Sequence, residues 1–190
     1  MNCRNWLRRV FLLGAMSGIP GVVVCFGDVV VQETQIGPMP SDSRQLAVTP
    51  DGHHAALVGT GGSRPAVYID GRAGPPYSTI SPWSSLESGK PPPAVLAWSP
   101  DNVVIAYVAS KADQFVVVEN QHEGAPFDGI QGAAFSPVGH RLVYVARKGL
   151  QNTATNPMQC DVVADGRTGP AYCSVRAVQF SADGQHIGDF

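Results

Sequence analysis

Two copies of an Asp-Gly-Arg-x-Gly-Pro-x-Tyr motif carry the residue types that could do chemistry in this chain. The first copy spans 70–77 and the second spans 165–172. Paired carboxylates beside glycine-rich turns could bind a cation or a phosphate group. The structural alternative is a hairpin turn, because Asp-Gly supplies the positive φ that a tight hairpin needs. A decayed copy keeps Gly124 and Phe127 but lacks the Asp, Gly and Arg, so the hairpin interpretation is favoured.

A second group of aspartates follows Thr-Pro, Ser-Pro or Ser-Ala at the same position in three of four copies of a repeat. A Pro-Asp-Gly sequence is typical of a tight turn, since proline fixes φ and aspartate accepts hydrogen bonds from the backbone that follows it. We therefore predict turn-forming roles, and no cation site, for both groups. The predicted turn residues are Asp51, Asp70, Gly71, Asp101, Gly124, Asp165, Gly166 and Asp183.

The remaining polar residues do not form a pattern typical of catalysis or metal binding. The sequence lacks a Gly-x-Ser-x-Gly elbow, and its glycine-rich stretch from Gly59 is not followed by the lysine of a phosphate-binding loop. The five histidines are dispersed, and none forms a His-x-x-x-His pair. We therefore predict that the protein is not an enzyme and has neither a metal site nor a cofactor.

Two cysteines could form a disulfide bond. The first two of the four cysteines fall within an N-terminal segment that has the layout of an export signal, which leaves Cys160 and Cys173. If Gly166 and Arg167 are the centre of a two-residue hairpin, these cysteines lie directly opposite each other, at a separation that a disulfide can span. An even pair also suits an oxidising compartment. The alternative is two free thiols that face a core.

The first 27 residues are set apart from the rest of the chain. Arginines near the start are followed by an apolar run without charge, which is the layout of an export signal. Arg8, Arg9, Phe11 and Leu12 also resemble the twin-arginine export motif. We predict that residues 1–27 direct export to the periplasm or the extracellular space. The alternative is an uncleaved N-terminal anchor, which would be the protein's one contact with a membrane.

The overall composition limits the classes of function. The chain has 190 residues, a formal net charge of -2 and 15% charged residues. Its lysines and arginines are scattered, so no basic stripe would attract nucleic acid, and we predict no nucleic-acid partner. The 21 glycines and 16 prolines are spaced between apolar runs, which is typical of many turns and short strands.

An internal repeat organises the residues after the N-terminal segment. Residues 46–59, 96–109 and 133–146 align with one another, and a fourth copy begins at 178. In each copy a short strand with apolar residues two apart leads into a Pro-Asp-Gly turn or a variant of it, and a near-continuously apolar strand follows the turn in the three full copies. A third strand enters the Asp-Gly motif, and the short stretch after it, such as 127–130, is predicted to make a fourth. Four antiparallel strands per repeat predict an all-β fold.

The repeat resembles the blades of TolB-like, WD-repeat-like bacterial β-propellers, chiefly at the Trp-Ser-Pro-Asp of 98–101 and the Phe-Ser-Pro of 135–137. The resemblance covers about residues 45–190 and implies a β-propeller of four-stranded antiparallel blades. The expected blades are 45–80, 95–130 and 133–175, with half-blades at 28–44 and 177–190. The half-blades leave two alternatives open, a minimal four-bladed propeller and an incomplete one.

Two insertions interrupt the repeat, at 81–95 and 148–158. In a four-stranded antiparallel blade both connections would emerge at the same end of the strands, and long loops on a rigid scaffold commonly carry binding sites. The candidate binding residues are Trp83, Lys90, Lys148 and Asn152. We predict a non-catalytic, exported β-propeller that serves as a binding or scaffold module of the cell envelope with a protein partner. The resemblance also implies an alternative, a propeller fragment or regulatory domain of a larger hydrolase or peptidase.

Overall fold

The structure, a computed structural model, describes residues 24–26, 29–31, 40–60, 63–82, 84–85, 95–149, 159–175 and 178–189. These residues form eighteen strands and no helix, which confirms the prediction of an all-β fold. They accordingly contain no helix long and apolar enough to cross a membrane. The strands are β1 (Val24–Phe26), β2 (Val29–Val31), β3 (Arg44–Val48), β4 (Ala55–Gly59), β5 (Ala66–Ile69), β6 (Arg72–Ala73), β7 (Thr79–Ser81), β8 (Ser84–Ser85), β9 (Leu96–Trp98), β10 (Ile105–Lys111), β11 (Gln114–Glu119), β12 (His122–Glu123), β13 (Gly129–Phe135), β14 (Leu142–Lys148), β15 (Gln159–Ala164), β16 (Arg167–Tyr172), β17 (Val178–Phe180) and β18 (Ile187–Asp189).

The strands form five sheets that follow chain order. The N-terminal hairpin is β1-β2, sheet I is β3-β4-β5-β6, and sheet IV is β17-β18. Sheet II has the order β12-β11-β10, with β7 and β9 both pairing with β10, and sheet III has the order β16-β15-β14-β13-β8. All of these pairs are antiparallel except β8 with β13, which is parallel.

Sheets I to IV pack on one another in chain order, with an apolar core between each neighbouring pair. Successive side chains of a strand point to opposite faces. In β10, Tyr107 therefore lies in the core shared with sheet I, whereas Val108 lies in the core shared with sheet III. Both residues are at most 3% exposed. A strand covered on both faces must be apolar throughout, which accounts for the near-continuous apolar runs of β10 and β14.

The first strand of a sheet begins in the preceding repeat, which corrects the predicted fourth strands. Residues 127–130 were expected to close sheet II, but Gly129 and Ile130 belong to β13, which pairs with β14. The fourth strands are instead the short β6, β12 and β16, which follow the Asp-Gly turns. The turn folds these residues straight back onto the third strand. Of the predicted stretch 127–130, Phe127 does pair with Phe115 of β11 at the edge of sheet II, and the chain then leaves that edge to enter β13.

The first insertion interrupts a strand and does not join two sheets at their ends. β7 pairs with 108–110 of β10, and β9 pairs with 105–107, so the chain departs and returns beside the middle of that strand. Within the insertion, β8 pairs with the edge of β13 that faces away from β14. The second insertion instead connects the ends of β14 and β15. The prediction that both insertions emerge at the same end of the strands is therefore wrong.

The aromatic residue of each Asp-Gly motif packs against the next sheet. The ring of Tyr77 meets Tyr107 edge-on, with centroids 6.1 Å apart, and Phe127 meets Tyr144 in the same way at 6.2 Å. All four side chains are at most 3% exposed. Edge-to-face contacts of this kind are favourable because the positive edge of one ring meets the negative face of the other. The motif therefore supplies a packing residue between successive sheets.

Unfolding is expected to become easier above about pH 10, where tyrosine ionises in an unfolded chain. Burial raises the pKa of Tyr107 and of Tyr144 to about 12, because a phenolate is poorly solvated in the core. The unfolded chain therefore loses these protons first, so the free energy of unfolding is fully maintained below about pH 10 and falls as the pH rises towards 12. Urea unfolding between about pH 8 and about pH 11 measures the effect, and a constant free energy across that range would contradict it.

Candidate functional site

The Ser-Pro-Asp turns are held by side-chain hydrogen bonds that recur from sheet to sheet. In sheet II the Ser99 hydroxyl donates to Asp101 Oδ1 at 2.7 Å and accepts from the Val104 N–H at 2.9 Å. The equivalent pairs in sheets I and IV are Thr49 with Asp51 and Ser181 with Asp183. In each turn the hydroxyl is the main reason that the pKa of the aspartate lies below its usual value. These carboxylates stabilise turns, as the sequence motif predicts.

The Asp-Gly turns clamp the start of each central strand. In sheet III the Asp165 N–H donates to the Leu142 carbonyl at 2.9 Å, and the Leu142 N–H donates to Asp165 Oδ1 at 3.2 Å. Sheets I and II repeat this pair of bonds with Asp70 and Ala55 and with Asn120 and Ile105. The Asp or Asn has a φ of 46° to 49° in all three turns, a left-handed conformation that these two residue types tolerate best after glycine.

The residue just before each central strand differs according to whether the turn that binds this strand contains Asp or Asn. Arg141 Nε lies 2.9 Å from Asp165 Oδ2, and His54 Nδ1 lies 2.8 Å from Asp70 Oδ2. In sheet II, where the turn residue is a neutral asparagine, the corresponding position holds Val104. The motif carboxylates thus have partners within their own sheets. No group of three or more His, Cys, Asp or Glu in the described residues is arranged to hold a metal ion.

Replacing Asp165 with asparagine is expected to cost less than about 1 kcal/mol, because the amide oxygen can still accept the Leu142 N–H and only an exposed ion pair is lost. Replacing it with alanine is expected to cost about 1–2 kcal/mol, because that N–H loses its partner and the turn requires positive φ. Urea unfolding followed by circular dichroism compares the two variants. Equal losses would show that the clamp contributes nothing to stability.

The two cysteines are not joined, which corrects the predicted disulfide. The hairpin is centred on Asp165 and Gly166, one residue earlier than the disulfide requires, because these are the two residues with positive φ. A shift in pairing further along β15 then places Cys160 opposite Tyr172. Cys160 is buried, Cys173 is exposed, and both are free thiols.

Of the four predicted binding residues, the structure describes Lys148. Trp83, Lys90 and Asn152 lie outside the described residues. Lys148 is the last residue of β14, and its Nζ lies 2.7 Å from Asp161 Oδ2 and 5.6 Å from the centre of the Phe127 ring. Because Asp161 is 2% exposed, Lys148 neutralises a buried carboxylate. The structure thus gives this lysine a role in stability.

A polar groove of about 540 Å³ lies between sheets II and III, beside the Asp-Gly turns. Burial, with a smaller contribution from the Asp165 carboxylate, raises the pKa of Glu119 in this groove. The cationic side chains nearby already have partners, since His140 Nδ1 lies 2.8 Å from Asp101 Oδ2 and Arg141 is bound to Asp165. The first of these ion pairs connects sheets II and III, and the second lies within sheet III. The groove therefore offers little unpaired charge to a ligand.

A second groove, of about 650 Å³, lies on the outer strands of sheet III and is the candidate functional site. Its apolar part consists of half-buried side chains, and its polar part includes exposed ones. We call it the sheet III groove, and define it by Val162, Ala164, Arg167, Thr168, Tyr172 and Ile187. Its position is unusual within the repeat, because the same surface is fully covered on sheets I and II.

Comparison of equivalent valines shows what leaves this surface open. Val67, Val117 and Val162 each lie three residues before the turn Asp or Asn. Val67 is 0% and Val117 is 1% exposed, and each shares its core with the third strand of the next sheet. Val162 is only half-buried, and in the described residues no third strand of sheet IV lies beside it. The sheet III groove therefore lies where the third strand of the next sheet covers sheets I and II.

Sequence reasoning placed the binding surface on the two insertions and missed the sheet III groove. The repeat alignment nevertheless makes Val162 equivalent to Val67 and Val117, which is the relation that allows their exposures to be compared. Comparison with known proteins adds no assignment: no protein-family model matches the chain, and no curated protein matches it either.

Proposed function

We propose that the protein is a non-catalytic, exported module of the cell envelope that is built as a β-propeller and binds a protein partner in the sheet III groove. Three sheets that share a Ser-Pro or Thr-Pro turn, a clamped central strand and the same stacking order support the propeller arrangement. Four-stranded antiparallel sheets repeated in this way are typical of propeller blades. A repeated stack of this kind is a rigid scaffold, on which a single irregular surface can serve for recognition.

The observation that carries the binding proposal is the incomplete burial of Val162. Its equivalents in sheets I and II are 0% and 1% exposed under a neighbouring strand, whereas Val162 and Ala164 are half-buried beside the groove. Apolar surface of this kind gains free energy when it is covered, at roughly 25 cal/mol for each Å². A covering strand from a partner would restore the burial that sheets I and II already have.

The strand edge and the side chains of the groove favour the binding of an extended protein segment with a specific pattern of residues. In the described residues β18 pairs only with β17, so its other edge offers backbone hydrogen bonds to an added strand. Val162, Ala164 and Ile187 can contact alternate apolar side chains of that strand. Arg167 is exposed and forms no ion pair with the described residues, so it can pair with a carboxylate. The proposed ligand is an extended segment with alternating apolar residues and an acidic residue.

A matched pair of substitutions tests this proposal. Val162→Asp places a charge in the groove, and Val103→Asp makes the same chemical change at a valine that is 57% exposed in a turn of sheet II. In crosslinking capture from a cell-envelope extract, wild type and Val103→Asp are expected to recover the same protein, and Val162→Asp is expected to lose it. Binding of a synthetic peptide from the recovered protein would then be measured, with an expected weakening of at least about tenfold by Arg167→Glu.

The groove is excluded as the binding site if Val162→Asp binds the same partner as tightly as wild type. The melting temperature of each variant has to be measured first, since Val162 also contributes to the core between sheets III and IV. If Val162→Asp is unfolded, the binding of Arg167→Glu tests the groove instead, because this arginine is exposed and is not one of the residues of that core.

A further inference from the structure

Sheet I has an apolar outer face that the strands of sheets I to IV leave open. Leu46 and Val48 of β3 are 46% and 44% exposed, and Leu57 of β4 is half-buried. Large apolar side chains that are exposed together commonly mark a surface that another element covers. This face points away from sheet II, because the opposite face of the same strands packs in the core between sheets I and II.

The equivalent residues of the other sheets are buried, which indicates that this face of sheet I is also suited to burial. Leu46 lies three residues before Thr49, and the residues three before Ser99, Ser136 and Ser181 are Leu96, Ala133 and Val178. These three are 3%, 3% and 0% exposed. In each case the preceding sheet supplies the cover. Sheet I therefore needs an element that stands in the position of a preceding sheet.

Pro40, just before sheet I, lies where a residue of such an element would lie. Pro40 lies nine residues before Thr49, as Phe127 lies nine before Ser136. Pro40 Cγ is 3.0 Å from the point where a Cβ on Gly59 would stand. Gly59 is equivalent to Ala146, which shares a core with Phe127. The contact between Pro40 and Gly59 therefore reproduces the contact between one sheet and the next.

We infer that the N-terminal hairpin, β1-β2, covers the outer face of sheet I and acts there as a preceding sheet. Val30 and Val117 both lie 19 residues before the Thr or Ser of the next turn, which gives Val30 the register position that covers the following sheet. The hairpin is apolar throughout, with Val-Cys-Phe in β1 and Val-Val-Val in β2. The occupant is thus a segment of the same chain, joined to the face by residues 32–43.

This inference changes the expected processing of the N-terminus. The sequence predicts an export segment that ends at residue 27, yet Val24–Phe26 forms β1 and pairs with β2. Cleavage after residue 27 would remove one of the two strands of the hairpin. The mature protein is therefore expected to begin at or before Val24, and its intact mass gives that position directly. A mature protein that begins at residue 28 would overturn the inference.

A pair of engineered cysteines tests the position of the hairpin in the full chain. Cys3, Cys25 and Cys173 are first replaced by serine, and the buried Cys160 is retained. Val30→Cys with Leu46→Cys is expected to form a disulfide within one molecule under mild oxidation. The matched control is Val31→Cys with Leu46→Cys, because adjacent residues of a strand point to opposite faces. The control is expected to yield at least about fivefold less intramolecular disulfide.

Each outcome of this experiment decides for or against the inference. A selective intramolecular disulfide supports it. A disulfide between two molecules would show that a second copy of the chain covers the face, and equal yields or no disulfide would show that the hairpin does not. As an independent readout, Val30→Asp is expected to raise the rate at which a thiol reagent labels Leu46→Cys by at least about tenfold. An unchanged rate in a variant whose far-ultraviolet circular dichroism matches wild type would also overturn it.

Discussion

Replacing Lys148 with methionine is expected to lower the free energy of unfolding by about 2–3 kcal/mol, because the substitution leaves the Asp161 carboxylate buried without a counter-charge. The Asp161 side chain is 3% exposed, and its Oδ2 lies 2.7 Å from Lys148 Nζ. Methionine retains much of the apolar stem of lysine, so the loss reports on the charge and less on packing. Urea unfolding monitored by circular dichroism measures the change.

The repeat supplies a matched control at the same structural position. Lys111 ends β10 as Lys148 ends β14, but its partner Glu123 lies 3.4 Å away and the two side chains are 61% and 31% exposed. Lys111→Met is therefore expected to cost less than about 1 kcal/mol. Similar small losses at both lysines would contradict the structural role of Lys148.

A double variant separates the unpaired charge from other effects of the substitution. Sheet II has Val116 at the position that Asp161 occupies in sheet III, and Val116 is 4% exposed. Lys148→Met combined with Asp161→Val is expected to return to within about 1 kcal/mol of wild type, since replacing both members of a buried ion pair by apolar residues is often neutral. If the double variant is as unstable as Lys148→Met alone, the lost charge is not the cause.

Replacing Tyr107 with alanine is expected to cost about 3–5 kcal/mol, which is the range for removing a large aromatic side chain from a core. Tyr107 is 0% exposed, and its ring packs edge-on against Tyr77 between sheets I and II. Thermal or urea unfolding gives the value. A loss below about 1 kcal/mol would mean that the two sheets do not depend on this contact.

Tyr107→Phe distinguishes the ring from its hydroxyl. The Tyr107 hydroxyl is buried and makes no hydrogen bond that satisfies normal geometry, although the nearby Tyr77 and Glu123 influence its pKa. Removing a buried polar atom that has no partner is neutral or stabilising. The phenylalanine variant is therefore expected to be at least as stable as wild type, and a loss above about 1 kcal/mol would reveal a hydrogen bond at this position.

The sequence predicted the parts of the fold that depend on local chemistry. Turn residues such as Asp101 and Asp165 repeat at fixed places, and their hydrogen bonds are to neighbours in the chain or to the adjoining strand. The strand boundaries were harder to predict. In β13 the polar Gln131 and the pairing shift between Ile130 and Gly132 break the apolar alternation, so one continuous strand resembles two short ones.

The disulfide prediction failed by one position, for a reason that the backbone explains. It assumed that Gly166 and Arg167 formed the centre of the turn, which would place arginine in the left-handed region. Asp165 and Gly166 take those conformations instead, because Asp and Gly tolerate positive φ and Arg does not. The sheet III groove and the ion pair of Lys148 depend on which strands become neighbours, and the local sequence does not report that.

Because β13 is one continuous strand, the boundaries of the sequence repeats differ from the boundaries of the sheets. Its first residues, Gly129 and Ile130, end one sequence repeat, and Ala133–Phe135 begin the next. A gene duplication that joined copies at the repeat boundary would cut through the middle of this strand. A junction within the Ser-Pro turn at 136–141 would leave complete strands on both sides. The turn is therefore where insertion or loss of a whole sheet would disturb the remaining sheets least, and repeat number in such a chain can change there without breaking a strand.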